Sequence, residues 1–266
     1  MTSPILCFGG LHRDTIGRTR NPLEAGNSVL GEISDSIGGV AANIAIALAQ
    51  TDESVILGSV IGDDDDGRWL EQELSERGVE PMLLIHPVEP TGRYVSVEDG
   101  NGDVIHGLID APALENADAN HLIEQVESTN PKAVVLDANL SGPQLATLAT
   151  HFGDVAVFAN AVSPTKAPRL AAIDRKDLVL FCNRAEWDAL EDQALSGTIV
   201  ITDGSRPVTV KMKGHESIHL VPLGQMKRSR TGAGDRFMAL TIAHRLAGSE
   251  IPEAVDAALS ERRVRA

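Results

Sequence analysis

A glycine-rich turn at residues 231–235 carries the clearest chemical signal in the chain. It reads Thr-Gly-Ala-Gly-Asp and runs directly into a predicted helix that begins Arg-Phe-Met-Ala-Leu. Unpaired backbone N–H groups at a helix start bind anions, and glycine lets an anion approach them closely. A carboxylate beside a bound phosphate can accept the proton of an attacking hydroxyl. Asp235 therefore indicates phosphoryl transfer from a nucleotide to an alcohol.

The same residues also have a purely structural interpretation. Gly-Ala-Gly-Asp before a helix is a common turn in which the aspartate serves as the N-cap. Short glycine motifs are weak evidence of function by themselves. The choice between a catalytic and a capping Asp235 therefore depends on the rest of the chain.

Composition limits the class of protein. The chain has 266 residues, of which 42% are hydrophobic, enough for one large α/β domain. A formal net charge of −15 argues against nucleic acid or an anionic membrane as a partner. Cys7 and Cys182 lie in apolar runs and are expected to be buried free thiols. Since neither a signal peptide nor an apolar run of membrane length is evident, we expect a soluble cytoplasmic protein.

Short apolar runs alternate with helical segments along most of the chain. The predicted strands are residues 4–10, 54–61, 133–137, 155–159, 178–182 and 198–202, with an antiparallel pair at 208–211 and 218–221. Helices are predicted at 40–49, after two glycines, and at 67–77, while the acidic run 63–66 is expected to be a solvated turn. This alternation predicts a mostly parallel sheet covered by helices on both faces.

Two segments interrupt the α/β alternation. Residues 92–97 and 103–109 alternate around a turn at 99–102 and predict a β-hairpin. Residues 11–36 are polar, contain several glycines and lack helical periodicity. We expect these segments, about 11–36 and 90–110, to form a small β lid within a single domain that spans residues 1–266.

Six motifs follow one another in order, mostly where predicted strands end or helices begin. They are Gly9-Gly10 with Asp14 beyond it, Gly38-Gly39-Val40-Ala41-Ala42-Asn43, Gly62-x-Asp64-x-x-Gly67, Asn183-Arg184-Ala185-Glu186, Thr202-Asp203-Gly204 and Gly232-Ala233-Gly234-Asp235. This ordered set resembles the ribokinase (PfkB) family of sugar and nucleoside kinases over nearly the whole chain. Residues 137–140 and 162–167 further resemble the pseudouridine kinases of that family. The resemblance implies a ribokinase-like three-layer α/β/α domain with a mostly parallel central sheet and a small β lid.

The resemblance implies that five residues bind the substrate. Asp14 resembles the family carboxylate that accepts hydrogen bonds from ribose hydroxyls, and an acceptor-only group suits a vicinal diol. Gly38 and Gly39 would let the backbone approach the sugar, Asn43 would offer a donor and an acceptor, and Asn139 occupies the position of a polar sugar contact. The structural alternatives are a solvated carboxylate, a helix start with an interior asparagine, and an Asx turn.

A second set of residues is implied to act on ATP and Mg²⁺. Asn183 and Glu186 match the family's Asn-x-x-Glu element, in which the glutamate acts on Mg²⁺ through water, and the alternative is a helix-capping pattern. Thr202 and Gly204 correspond to a strand end that contacts the nucleotide.

The glycine turn acquires a catalytic role through the same resemblance. Asp235 is implied to be the general base, while the backbone of Gly232, Ala233 and Gly234 stabilises charge on the transferred phosphoryl group. The chain contains no Walker loop of the form Gly-x-x-x-x-Gly-Lys-Ser/Thr, so phosphate binding falls to this turn.

The chain departs from the family pattern around this turn. Ser229 and Arg230 stand where an Asp-Thr pair is usual, which leaves dependence on a monovalent cation open and makes Arg230 a candidate phosphate contact. Only residues 236–266 follow the proposed base, whereas relatives continue with segments that build the adenine pocket. We therefore expect a nucleotide site that is shallow or is completed by another chain.

The sequence thus predicts an ATP-dependent kinase for the 5′-hydroxyl of a ribonucleoside, with pseudouridine as the leading substrate. Two alternatives stay open: a kinase for ribose or another nucleoside, and a catalytically weak protein of the same fold that binds a nucleoside or nucleotide. We also expect a homodimer formed through the β lid, since lids pair in relatives and residues such as Val95, Val97, Ile105 and Leu108 supply apolar surface.

Overall fold

The computed structural model of the chain describes residues 3–23, 26–190, 195–221 and 232–261. Within these ranges it contains two β-sheets and the helices that cover the larger one. The strands are β1 (Ile5–Phe8), β2 (His12–Thr19), β3 (Gly31–Gly38), β4 (Val55–Gly62), β5 (Val79–His86), β6 (Arg93–Glu98), β7 (Val104–Asp110), β8 (Ala133–Asp137), β9 (Ala156–Asn160), β10 (Val179–Asn183), β11 (Thr198–Thr202), β12 (Val208–Met212) and β13 (Ile218–Leu220). The α-helices are α1 (Val40–Ala49), α2 (Asp65–Glu76), α3 (Pro112–Asn116), α4 (Ala119–Val126), α5 (Gly142–His151), α6 (Arg184–Asp188), α7 (Ala233–Leu246) and α8 (Ile251–Glu261).

The larger sheet forms the centre of the molecule. Its strand order is β13-β12-β11-β10-β9-β8-β1-β4-β5. The strands are parallel from β11 to β5, while β12 and β13 add an antiparallel pair at one edge. Strands β1, β4 and β8 are buried along their whole length, as expected for strands covered on both faces.

Apolar side chains pack on both faces of this sheet. Alternation along β1 sends Ile5 and Cys7 into a cluster with α1, α2, α7 and α8, and sends Leu6 and Phe8 into a cluster with α3, α4, α5 and α6. The molecule therefore has three layers, and the predicted α/β/α fold is confirmed.

The smaller sheet has the strand order β3-β2-β6-β7 and is separate from the central sheet. Strand β2 pairs antiparallel with β3 and parallel with β6, and β6 forms the predicted hairpin with β7. The hairpin therefore lies outside the main sheet, as expected from the break in the α/β alternation.

The acidic run at residues 63–66 is only partly the predicted solvated turn, since Asp63 and Asp65 are exposed whereas Asp64 and Asp66 are not. Asp64 is the N-cap of α2, where its carboxylate accepts from the Gly67 amide at 2.8 Å. Asp66 is buried and binds Arg13 of β2 at 2.8 Å and Arg93 of β6 at 2.5 Å. The Asp66 carboxylate joins the smaller sheet to α2, because each of its two ion pairs connects the two parts.

Both cysteines are buried free thiols, as predicted. Burial raises the pKa of Cys182 to about 12 and raises the pKa of Cys7 as well, so both thiols are protonated at neutral pH. Within the described ranges, none of the helices is long and apolar enough to cross a membrane.

Candidate active site

Several predicted site residues, among them Asn139, Asn183 and Thr202, lie at or just after the carboxyl ends of the central strands, where open α/β sheets bind their ligands. Strand β1 runs into Gly10, and its neighbour β8 ends at Asp137. Helix α1 begins beside them, and the Ala42 amide donates to the carbonyl oxygen of Gly10 at 3.3 Å. The glycine turn after β1 and the start of α1 therefore form one surface.

The fully buried carboxylate of Asp137 holds this surface together. Its Oδ2 accepts from the amides of Gly10 at 3.0 Å and Ala41 at 2.8 Å and from Asn139 Nδ2 at 3.0 Å, while its Oδ1 accepts from the Asn139 amide at 2.8 Å. Burial raises the pKa of Asp137, and the four N–H donors act in the opposite direction. A Cβ at Gly9 would lie 2.3 Å from this carboxyl group, so only glycine fits there.

Replacing Asp137 with Asn is expected to lower the free energy of unfolding by about 2–4 kcal/mol, because the new NH₂ group would face N–H donors and leave buried groups unpaired. Urea denaturation measures this loss. Asp154→Asn, an exposed position of the same residue type, serves as the matched control and should change stability by less than about 0.5 kcal/mol. Equal stability of the Asp137 and Asp154 variants would contradict the role of Asp137.

The predicted glycine pair is required by close packing. A Cβ at Gly38 would lie 2.0 Å from the Asp14 carboxylate, and one at Gly39 would lie 2.1 Å from the Gly10 carbonyl oxygen. Gly39 is the N-cap of α1 and has φ 104°, a conformation that favours glycine. Both positions therefore let the backbone of α1 approach the site.

Asp14 is buried on β2, so the solvated alternative for this residue is wrong; only 8% of it is exposed. Its Oδ1 lies 2.7 Å from Nδ1 of His12, within ion-pair distance. Among the described residues, however, neither atom has a hydrogen-bond partner of acceptable geometry. A buried acceptor without a partner costs free energy, so Asp14 is suited to a hydroxyl group of a ligand.

Asp235 is the third residue of α7 and does not cap it. The N-cap is Gly232, with φ 82°, and the cap has no side-chain hydrogen bond; Ala233 and Gly234 form the start of the helix. The Asp235 Oδ2 instead accepts from Asn43 Nδ2 at 2.9 Å. The capping alternative for Asp235 is therefore wrong, and the contact brings Asp235 to the glycine pair of α1.

The electrostatic surroundings of Asp235 suit a proton acceptor. Burial is the main cause that raises its pKa to about 6, the carboxylates of Asp137 and Glu186 raise it further, and the Asn43 hydrogen bond acts against them. The position at a helix start favours the ionised form, as the sequence suggested, but burial outweighs that effect. Above about pH 6 the group is mostly an ionised base.

Asn183 and Glu186 form a complete capping box at the start of α6. The Asn183 side chain accepts from the Glu186 amide at 2.9 Å, and Glu186 Oε2 accepts from the Asn183 amide at 2.7 Å. Burial raises the pKa of Glu186. The helix-capping hydrogen bonds of the structural alternative are thus present. The role of Glu186 toward Mg²⁺ stays a prediction.

The donor set fits a magnesium ion held through water better than one held by a protein cage. Among the described residues, no group of three His, Cys, Asp or Glu side chains could hold a metal ion. Mg²⁺ keeps most of its waters and needs only one or two carboxylates together with substrate phosphates. Glu186, in the first turn of α6 and within electrostatic reach of Asp235, can supply one of them.

The remaining nucleotide candidates lie beside Asn183. Thr202 ends β11 and is paired in register with Asn183, and its hydroxyl donates to the Cys182 carbonyl oxygen at 3.4 Å. Gly204 follows with φ 59° and open space around it. Arg230 lies outside the described residues. The structure therefore places Asn183, Glu186 and Thr202 together at adjacent strand ends.

Three functional candidates were not identified as site residues from the sequence. Asp137 and Lys166 lie within the segments that supported the family resemblance, and His12 precedes Asp14 by two residues. Lys166 Nζ donates to Asn139 Oδ1 at 2.6 Å, and Asn139 Nδ2 donates to Asp137, so the Asn139 side chain links these two residues. A buried strand that ends in aspartate was the one sequence signal that could have identified Asp137.

Comparisons with known proteins agree with this arrangement. Residues 3–260 match the model of the pfkB family carbohydrate kinases. The chain is 28% identical to the pseudouridine kinase of Escherichia coli (strain K12), with 88% of this chain and 81% of that protein covered. It is also 28% identical to the ATP-dependent ribose-1-phosphate kinase of Halopiger xanaduensis, with 95% and 88% covered.

A solved structure extends the comparison to the fold. The ribokinase of Thermotoga maritima superposes with a TM-score of 0.79 at 19% identity and covers 97% of this chain and 91% of its own. With a family model that spans most of its length, this chain belongs to the pfkB family of carbohydrate kinases, phosphotransferases that act on hydroxyl groups.

Proposed function

We propose that the chain transfers the γ-phosphoryl group of ATP to the 5′-hydroxyl of a ribonucleoside, most specifically pseudouridine. The hydrogen bond between Asn43 Nδ2 and Asp235 Oδ2 carries this proposal. This bond joins the Asp235 carboxylate, whose pKa is about 6, to helix α1. The glycine pair just before α1 packs against Asp14 through Gly38. A base and a candidate diol acceptor are thereby held on one surface.

In the proposed reaction, Asp235 accepts the proton of the 5′-hydroxyl as the oxygen attacks the γ-phosphorus, and ADP leaves with the electrons of the broken P–O bond. The start of α7 positions and stabilises the transferred group. Mg²⁺, held through water by Glu186, would neutralise charge on the phosphates.

The substrate's ribose would be held from two sides. Asp14 would accept from the 2′- and 3′-hydroxyls, satisfying its unpaired buried Oδ1. Asn43 would position Asp235 and, through its amide oxygen, contact the sugar. Gly38 and Gly39 would keep the start of α1 close to Asp14 and Gly10, because a side chain at either position would collide with these residues.

Pseudouridine is preferred as substrate because of the relative from Escherichia coli, which bears that substrate in its name. The relative from Halopiger xanaduensis favours ribose 1-phosphate as a second candidate. The alternative from another class is a protein that binds these ligands without turnover. The hydrogen bond that positions the proposed general base Asp235 against Asn43 argues against it.

A substrate panel tests the proposal. The protein is incubated with ATP, Mg²⁺ and pseudouridine, uridine, ribose or ribose 1-phosphate, and ADP release is followed. The proposal predicts the highest kcat/KM for pseudouridine. A higher value for ribose 1-phosphate would transfer the assignment to the second candidate, and binding without ADP release would support the non-catalytic alternative.

The smaller sheet supports a proposal for assembly. Ile33 of β3, Val95 of β6 and Leu108 of β7 are exposed and lie on the face opposite Asp14, since strand residues alternate between faces. Ile105 adds exposed apolar surface, whereas Val97 is half-buried. We propose that this sheet is the β lid and that its outer face pairs with a second copy.

Light scattering is therefore expected to give the mass of a dimer at micromolar concentration. Leu108→Asp, at a side chain 72% exposed, should shift the protein toward monomer because it places a charge in the interface. Val88→Asp, at a position 84% exposed outside the smaller sheet, is the matched control and should leave the mass unchanged. A monomeric wild type would count against the dimer.

A further inference from the structure

A small pocket lies beside the sugar-side surface, next to Gly10 and Asn139, and we call it the Lys166 pocket. Its walls are mostly apolar and come from the central sheet, the smaller sheet and the segment after it. They include Val60, Ile109, Ala111, Ala113 and Leu114. Its polar lining includes His12, Asn139 and Lys166. Asp235 does not line it, whereas Gly10 and Asn139, which both bind Asp137, do.

Lys166 is a half-buried cation with unused donor capacity. Its ammonium donates to Asn139 Oδ1 at 2.6 Å, and in the described part of the chain no carboxylate lies within ion-pair distance of it. Glu115, which also lines the pocket, is paired with Arg169 at 2.7 Å. An ammonium group has three N–H donors, so Lys166 can donate to a ligand without losing Asn139.

The burial and the charges around the Lys166 ammonium group favour a hydrogen-bond acceptor beside it. Burial lowers its pKa and Arg169 lowers it further, while Asp137 and Glu115 act in the opposite direction. A partly desolvated cation gains more from a hydrogen bond than an exposed one. An oxygen acceptor of a ligand would therefore be bound here with an energetic advantage.

The Lys166 pocket is connected to Asp235, the proposed general base, by a continuous set of contacts. Asn139 donates to Asp137, Asp137 binds the start of α1 at Ala41, and α1 carries Asn43 to Asp235. In a ribonucleoside, the 5′-carbon and the group on C1 lie on opposite sides of the ring oxygen. A substrate with its 5′-hydroxyl at Asp235 and its diol at Asp14 would thus direct its C1 substituent toward Lys166.

We propose that Lys166 is a specificity-determining residue that donates a hydrogen bond to a carbonyl oxygen of the heterocyclic base on C1. This inference rests on the proposed function. Apolar walls favour the faces of a flat base and disfavour a phosphate dianion, which would lose its hydration there with a single cation as partner. The enclosed volume is about 30 Å³, the share of about one water molecule, so lid residues such as Ile109 must move outward to admit a base.

The test compares Lys166→Met with wild type on pseudouridine and on ribose, which lacks a base. Methionine keeps an unbranched stem and removes every donor. We expect kcat/KM for pseudouridine to fall about 10- to 100-fold and that for ribose to change less than about twofold. Lys176→Met, at an exposed lysine, is the matched control and should leave both values unchanged.

Calorimetry on the same variants separates this inference from the proposed function. Pseudouridine affinity should fall about tenfold in Lys166→Met while ribose affinity stays constant, whether or not phosphate is transferred. Equal losses on both ligands would mean that Lys166 only supports Asn139, and would overturn the inference. Ribose 1-phosphate is titrated as a third ligand, and a loss of affinity confined to it would also overturn the inference, by assigning Lys166 to a phosphate. If wild type transfers no phosphate, the proposed function fails and the affinity ratio still decides the role of Lys166.

Discussion

Replacing Asp235 with Asn is expected to lower kcat at least about 10²-fold, with substrate affinity largely kept, because general-base catalysis typically contributes 10²–10⁴-fold. Asparagine keeps the size of the side chain and can still contact Asn43, but it does not accept the hydroxyl proton readily. Steady-state kinetics with the best substrate of the panel measures the loss. In the wild type, kcat/KM should rise as pH increases through about 6, because Asp235 of the free protein ionises there.

Stability provides the control for this variant. The pKa of Asp235 is raised in the folded state from its ordinary value of 3.8 to about 6, so the stability from its protonated form is fully present below pH 3.8 and is lost as pH rises through about 6. Asp235→Asn lacks this loss and should be at least as stable as wild type at pH 7. Asp256→Asn, exposed on α8, is the matched control for both kinetics and stability. An unchanged kcat in the Asp235 variant would show that Asp235 is not the general base.

Substrates that lack the 2′-hydroxyl are expected to have kcat/KM lower by at least about 10²-fold. A site built to hydrogen-bond a hydroxyl rejects analogues without it, because its buried polar groups are then left unpaired. The buried Asp14 Oδ1 is such a group. Uridine and 2′-deoxyuridine, or the two forms of pseudouridine, provide the comparison.

The variant Asp14→Ala checks which residue makes this distinction. It should act poorly on both forms and should discriminate between them less than wild type, since the unpaired acceptor is gone. Equal efficiency of wild type on the ribo and deoxyribo substrates would show that Asp14 does not read the 2′-hydroxyl.

Much of the fold was predictable because its local patterns are strong. Helix α1 has the predicted bounds 40–49, since a glycine pair precedes a run of alanine and isoleucine, and β8 has the predicted bounds 133–137. Strand β5 was missed because it carries Pro81 and is only partly buried at the edge of the sheet. The acidic run was misjudged because its partners, Arg13 and Arg93, are distant in sequence.

The site residues were predicted less from local pattern than from family resemblance. Gly38, Gly39 and Asp235 lie in recognisable motifs, but the contact between Asn43 and Asp235 joins residues 192 positions apart. The burial that raises the pKa of Asp235 also arises only when α1 and α7 pack together. Asp137 contacts Ala41 and Gly10 across separations of 96 and 127 residues, so these two partners do not follow from nearby sequence.

The most direct test of the central claim is ³¹P NMR of the products formed from pseudouridine, ATP and Mg²⁺ by wild type and by Asp235→Asn. We expect wild type to form pseudouridine 5′-phosphate and ADP in equal amounts, and the variant to form at least about 10²-fold less product per unit time. Phosphate on another hydroxyl, equal rates for the two proteins, or no phosphorylated nucleoside from wild type would contradict it.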